Sequence, residues 1–164
     1  MTPTTRSVPS VVRRSPMRWP AASAALTIAA AHVPVTPEHL SQAPYIGLSF
    51  VALEIVAIGL AIALVNYDTT TVWRNAIVVP ALAIAAFLVT RSVALPEIAD
   101  DKGNWAEPLG FVALSAEALL LILAVVERSR VFRAPRRRAV PVVVAGLVLA
   151  LGLAATAYAA VTGG

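Results

Sequence analysis

Three ionisable side chains, Glu54, Arg91 and Glu117, stand where charge is expensive to place. Glu54 interrupts PYIGLSFVALEIVAIGLAIALV and Glu117 interrupts GFVALSAEALLLILAVV, each deep inside an apolar run. A carboxyl group held away from water is costly, and the default hypothesis for such a group is functional. Glu54 lies ten residues into its run, roughly 15 Å at helical rise, and Glu117 is expected at a similar depth. Two protonatable groups at one depth would suit a proton- or ion-coupled carrier. The alternative is structural: Arg91, about one turn inside the end of the preceding apolar run, can pair with either carboxylate in a buried polar network.

The histidines pose a second question. The chain has two, His32 and His39, both in AAAHVPVTPEHLSQAPYIG, with Glu38 beside the second. Imidazoles with a carboxylate suit Zn²⁺ or Cu²⁺, giving His32, His39 and Glu38 as candidate ligands. Helix ends explain the same residues. Histidine at a helix C-terminus complements the dipole and caps carbonyls, and TPEHL reads as a helix start with Thr36 as N-cap and Pro37 at the first position. A haem-binding redox subunit is a third reading, but two histidines at one end of one helix cannot sandwich a haem without another chain.

What positions these residues is a membrane. The 164 residues are 59% hydrophobic and only 13% charged, about half the charged fraction of a soluble domain. Apolar segments span about 19–35, 44–65, 72–95, 108–126 and 139–161. Each is near the ~20 residues a helix needs to cross the hydrocarbon core, where unpaired backbone groups force helices. The expected fold is therefore all-α: an integral membrane bundle of five transmembrane helices over residues 19–162, preceded by a disordered basic arm at 1–18.

Orientation follows from charge. Eleven of the twelve arginines fall in the arm, the second loop between apolar segments (Arg74) and the ERSRVFRAPRRR loop, whereas the opposite loops hold Lys102 against Glu38, Glu97, Asp100, Asp101 and Glu107. The positive-inside rule gives a cytoplasmic N-terminus and an outside C-terminus in a bacterial cytoplasmic (inner) membrane. HVPVTPEHL is then a rigid reversal at the outer surface. The N-terminus also fits a signal peptide cut after Ala31, which would leave four spans and a free amino group on His32 able to chelate copper with His39.

Packing is expected through small residues. Gly47, Glu54, Ala57 and Ala61 share one helical face, as do Gly110, Ala113, Glu117 and Ala124, and Gly146, Ala150 and Ala154 form a third stripe. Pro80 is expected to kink its helix.

No cysteine is present, which excludes disulfides and thiol chemistry. Serine-elbow, phosphate-loop, HExxH and dinucleotide motifs are absent, so an enzyme is not expected. The arginines lack the aromatic interleaving of a nucleic-acid groove and serve as topology signals. The expected partners are the lipid bilayer and a second copy or a larger membrane complex.

The segments HVPVTPEHLSQAPYIGLSF, TRSVALPEIADDKGNWAEPLG and LSAEALLLILAVV resemble a group of small multispanning membrane proteins of high-GC actinobacteria. The shared features are a PEHL turn (Pro37 to Leu40), an Arg-Ser step (Arg91-Ser92) and a WxEPLG lead (Trp105 to Gly110) into a Glu-bearing helix (Glu117). The resemblance covers about residues 30–126 and implies the architecture without a reaction. By the charge-derived topology these segments fall at the outer face, where Tyr45, Trp105 and Glu107 are expected to form an outward-facing polar cap over Glu54 and Glu117. The function expected from all this is a non-enzymatic membrane protein with an outward-facing polar or metal-binding site.

Overall fold

The computed structural model describes residues 14–131, which comprise five α-helices and no strand. They are α1 (Arg18–His32), α2 (Thr36–Gln42), α3 (Pro44–Tyr67), α4 (Thr70–Ser92) and α5 (Pro108–Val131), with a short 3-10 turn at Ala99–Asp101 before α5. Residues 1–13 and the expected span at 139–161, with its Gly146, Ala150 and Ala154 stripe, lie outside the described residues.

Three of these helices, α3, α4 and α5, are long and apolar enough to cross a membrane. At 24 residues α3 extends about 36 Å. The chain is thus a helical protein of membrane type. Its outer faces carry large apolar side chains such as Ile55, Ile62, Phe111 and Ile122, each more than half exposed, a surface suited to lipid contact.

The first apolar segment departs from expectation. It does not form one helix over 19–35 followed by a reversal. α1 stops at His32 after 15 residues, and α2 resumes at Thr36. Pro34 and Pro37 have no amide hydrogen, so two helical hydrogen bonds cannot form. The backbone of Val33 and Val35 nevertheless stays in the right-handed helical region, so the chain keeps its direction across the gap. Side-chain pairings establish this. Ser15 meets Asp68 and His32 meets Phe50, so α1 runs antiparallel to α3. Thr36 meets Glu54 and His39 meets Phe50, so α2 runs antiparallel to α3 as well. α1 and α2 therefore point the same way along α3, with α2 starting beside Glu54 at the level where α1 ends beside Phe50. The reversal comes at Ala43, whose φ of −139° and ψ of 82° separate α2 from α3.

α1 packs between α3 and α5, and α4 touches the same two helices from the other side, which leaves α1/α4 and α3/α5 on the diagonals. The core between them is built from small residues. α1 contributes Ala21, Ala22, Ala24, Ala25, Ile28 and Ala29, α3 contributes Ala57, Ala61 and Leu64, and α5 contributes Ala116, Leu120 and Ala124. Small side chains let backbones approach closely, which supplies the van der Waals contact that drives association in lipid. Because α1 lines so much of this core, a chain starting at His32 would expose the facing surfaces of α3 and α5. Pro80 sits inside α4 and is fully buried.

The two ends of the bundle are tied differently. At the α3–α4 turn, Asp68 adopts a left-handed conformation with φ of 38°. Its carboxylate accepts from Ser15 N at 2.5 Å and from Trp73 Nε1 at 2.7 Å. Thr69 caps α4 by accepting from Val72 N at 3.3 Å. Residues 14–18, expected in the arm, are therefore held against this turn. At the other end the α4–α5 loop folds back over the start of α3. Ile98 packs on Ala43, Tyr45 and Ile46, and Tyr45 Oη donates to Pro96 O at 2.6 Å.

Candidate functional site

The break between α1 and α2 gathers most of the polar chemistry. Glu54 lies ten residues, about 15 Å, along α3 from Pro44, and the break is level with it. Thr36 is buried there. Its Oγ1 is 2.6 Å from Glu54 Oε1 and 3.0 Å from the carbonyl oxygen of His32. Thr36 was expected to cap α2, but Val35 holds the cap position without a side-chain bond. The Thr36 hydroxyl is turned to Glu54 instead, because α2 lies flat against α3.

Both histidines flank this position. His32 Nδ1 donates to Ile28 O and His39 Nδ1 donates to Val35 O, each at 2.8 Å. A carbonyl can only accept, so each Nδ1 carries a proton, and in the neutral ring Nε2 is the acceptor. Neither Nε2 has a hydrogen-bond partner among the described residues. Both rings rest against Phe50, with centroids 4.9 Å away in each case. Glu54, His39 and Glu107 are the titratable groups near His32.

Glu38 does not join them. It is exposed, and its Oε1 accepts from Gln42 Nε2 at 3.0 Å. No group of three His, Asp or Glu side chains among the described residues is arranged to hold a metal ion. Helix-end bonding accounts for the Nδ1 of each histidine, and only the Nε2 atoms are left for a ligand.

The expected Glu54–Arg91–Glu117 network does not form. Arg91 sits near the C-terminal end of α4, and its Nη1 meets Asp101 Oδ1 at 2.6 Å and Asp101 O at 3.3 Å. Its guanidinium also lies over the Phe87 ring at 5.1 Å. The loop acid wins because residues 93–107 fold back over the end of α4, closer to Arg91 than either intrahelical carboxylate. Glu117 is 2% exposed, and no hydrogen bond or ion pair reaches its carboxyl group among the described residues. It faces inward with Ala113 and Ala124, as the stripe predicts.

Tyr45, Trp105 and Glu107 have separate tasks. Tyr45 holds the loop at Pro96. Trp105 is half exposed and packs edge-on to Phe87 at 6.3 Å. Glu107 caps α5, accepting from Leu109 N at 2.9 Å and from Gly110 N through its other oxygen. The EPLG lead is thus a helix start: an acidic cap, proline where no amide hydrogen is needed, and glycine where the carboxylate must approach. Glu107→Ala is expected to remove about 1 kcal/mol of stability, and Glu107→Asp to restore most of it, as read by thermal unfolding in detergent.

Sequence reasoning missed the Thr36–Glu54 contact and the Arg91–Asp101 pair. The double proline of HVPVTP was the available signal for the first. No family model, no curated protein and no solved structure matches this chain.

Proposed function

We propose that the protein is a small multi-pass protein of the bacterial cytoplasmic membrane that handles a cation or proton at the α1–α2 break, without enzymatic activity. The observation that carries this is the 2.6 Å contact between Thr36 Oγ1 and Glu54 Oε1 beside two histidines with free Nε2 atoms. Broken helices at membrane depth are a recurrent way to present backbone carbonyls and carboxylates to an ion, and non-helical backbone there is tolerated where it is buried in protein or lines a cavity.

Charge supports an inside and an outside. Arg14, Arg18, Arg74, Arg128 and Arg130 belong to the end that holds the α3–α4 turn, and Glu97, Asp100, Asp101 and Glu107 to the opposite loop. The basic end is assigned to the cytoplasm and the acidic loop to the outside, with five spans counting the segment at 139–161. The absence of cysteine makes this easy to check: Asp100→Cys should react with an impermeant maleimide in intact cells.

The test of function is proton or cation flux in proteoliposomes, read with a pH-sensitive dye inside. Flux is expected from the native chain, with Glu54→Gln abolishing it and Glu117→Gln reducing it. Unchanged flux in Glu54→Gln overturns the proposal. A second reading, an outward-facing Zn²⁺ or Cu²⁺ site shared with a partner subunit, draws on the free Nε2 atoms of His32 and His39. Metal retained through purification and lost in His39→Ala would favour it.

A further inference from the structure

We infer that the α1–α2 break binds a monovalent alkali cation through oxygen ligands: the carbonyl of His32, Oγ1 of Thr36 and the carboxylate of Glu54. This rests on the reading of the break as a cation centre and names the ion that it takes.

Hydrogen-bond bookkeeping carries the inference. Thr36 Oγ1 lies 3.0 Å from His32 O and 2.6 Å from Glu54 Oε1. A hydroxyl has one proton, so it can serve one of these acceptors at a time. His32 O already receives Val35 N at 3.0 Å. With the hydroxyl proton on Glu54 and the Val35 N–H on His32 O, Thr36 Oγ1 and His32 O meet at 3.0 Å with no proton between them, an arrangement that attracts positive charge. The break adds more oxygen. The carbonyls of Ala30 and Val33 lose their helical donors to Pro34 and Pro37, and Val35 N turns to His32 O, which leaves Ala31 O without one. None of these three carbonyls receives a hydrogen bond among the described residues.

The ligand types select the ion. Carbonyl, hydroxyl and carboxylate oxygens are hard donors suited to hard cations, whereas Zn²⁺ and Cu²⁺ prefer nitrogen and sulfur. Only one carboxylate, Glu54, is in contact with the cluster. One negative charge balances one positive charge, and a divalent ion would leave a net charge in a poorly hydrated place, where unpaired charge is costly. The histidines stand outside the ligand set, because their remaining Nε2 atoms are nitrogen donors, which suit Zn²⁺ and Cu²⁺ rather than an alkali ion.

The experiment is equilibrium binding of ²²Na⁺ to the full chain in detergent, with N-methylglucamine as the inert cation and K⁺ and Li⁺ as competitors. Saturable Na⁺ binding is expected, displaced by another alkali ion and absent in Glu54→Gln. Thr36→Val should weaken it about tenfold or more, and Thr36→Ser, which keeps the hydroxyl, should retain it. Glu38→Gln, at an exposed carboxylate outside the cluster, should bind Na⁺ like the native chain. No saturable Na⁺ binding by the native chain overturns the inference, as does Na⁺ binding that survives Glu54→Gln. Zn²⁺ held through the histidines without Na⁺ also overturns it while leaving a cation centre in place. Failure of Na⁺, Zn²⁺ and proton flux together removes both readings.

Discussion

Placing any side chain at position 47 is expected to pry α2 from α3. A Cβ on Gly47 would lie 2.5 Å from the backbone nitrogen of Leu40 and 2.6 Å from its Cα. Those atoms belong to the main chain of α2, so no rotamer change can relieve the overlap. Gly47→Ala should cost about 1–3 kcal/mol, and Gly47→Leu should displace α2 altogether. Because α2 carries Thr36 and His39, the displacement would also separate Thr36 from Glu54. Thermal unfolding in detergent checks the first effect and ion binding the second. Gly59 supplies the control. It lies in the same helix with nothing within 4 Å of a built Cβ, and Gly59→Ala should leave stability unchanged or raise it by up to ~1 kcal/mol through helix propensity. Equal losses at both positions would mean that close approach is not what matters at Gly47.

The second large effect lies in the Arg91–Asp101 pair, and its two halves should not be equivalent. The Arg91 side chain is 9% exposed and that of Asp101 23%. Asp101→Ala leaves a buried guanidinium without its carboxylate, and its Nε already has no hydrogen-bond partner among the described residues. Breaking a buried pair from this side is expected to cost about 3 kcal/mol. Arg91→Met leaves the more exposed Asp101, which water can hydrate, while the apolar stem still packs on Phe87; about 1 kcal/mol is expected. The ordering is the test, measured by unfolding midpoints of the two single variants. The loop should loosen in either case. Gly103, with φ of 83°, donates its N–H to Arg91 O at 2.9 Å, so the α4 end and the loop hold one another by main chain and side chain together. Trp105 rests on Phe87 beside them, and its fluorescence reports the release.

The sequence resemblance draws attention to short stretches whose physical roles differ. EPLG starts a helix. PEHL lies in α2, and its proline, Pro37, belongs to the break before it. The Arg-Ser step anchors a loop. Only PEHL adjoins the polar centre, and the residue of that centre with the shortest contact, Thr36, precedes the motif by one position.

Hydrophobic content and segment length determined the helical, membrane-type character of this protein, because no polar surface is available to coat it and lipid permits no unpaired backbone. The inward stripes of α3 and α5 were equally legible, since period and residue size alone place Ala57, Ala61, Ala113 and Ala124 on packed faces. The cap at Glu107 and the interruption at Pro34 and Pro37 are local chemistry, and the sequence carries them too. Tertiary structure alone decided the partners. Whether the chain turns back after HVPVTP or continues depends on Val33 and Val35, on either side of Pro34, remaining helical, and both outcomes satisfy the same sequence. Whether Arg91 meets a buried glutamate or a loop aspartate depends on how a fifteen-residue connection folds over the bundle. The pairing of Thr36 with Glu54, eighteen positions apart, exists because Gly47 lets α2 lie directly against α3, a contact between distant backbones that no local pattern encodes.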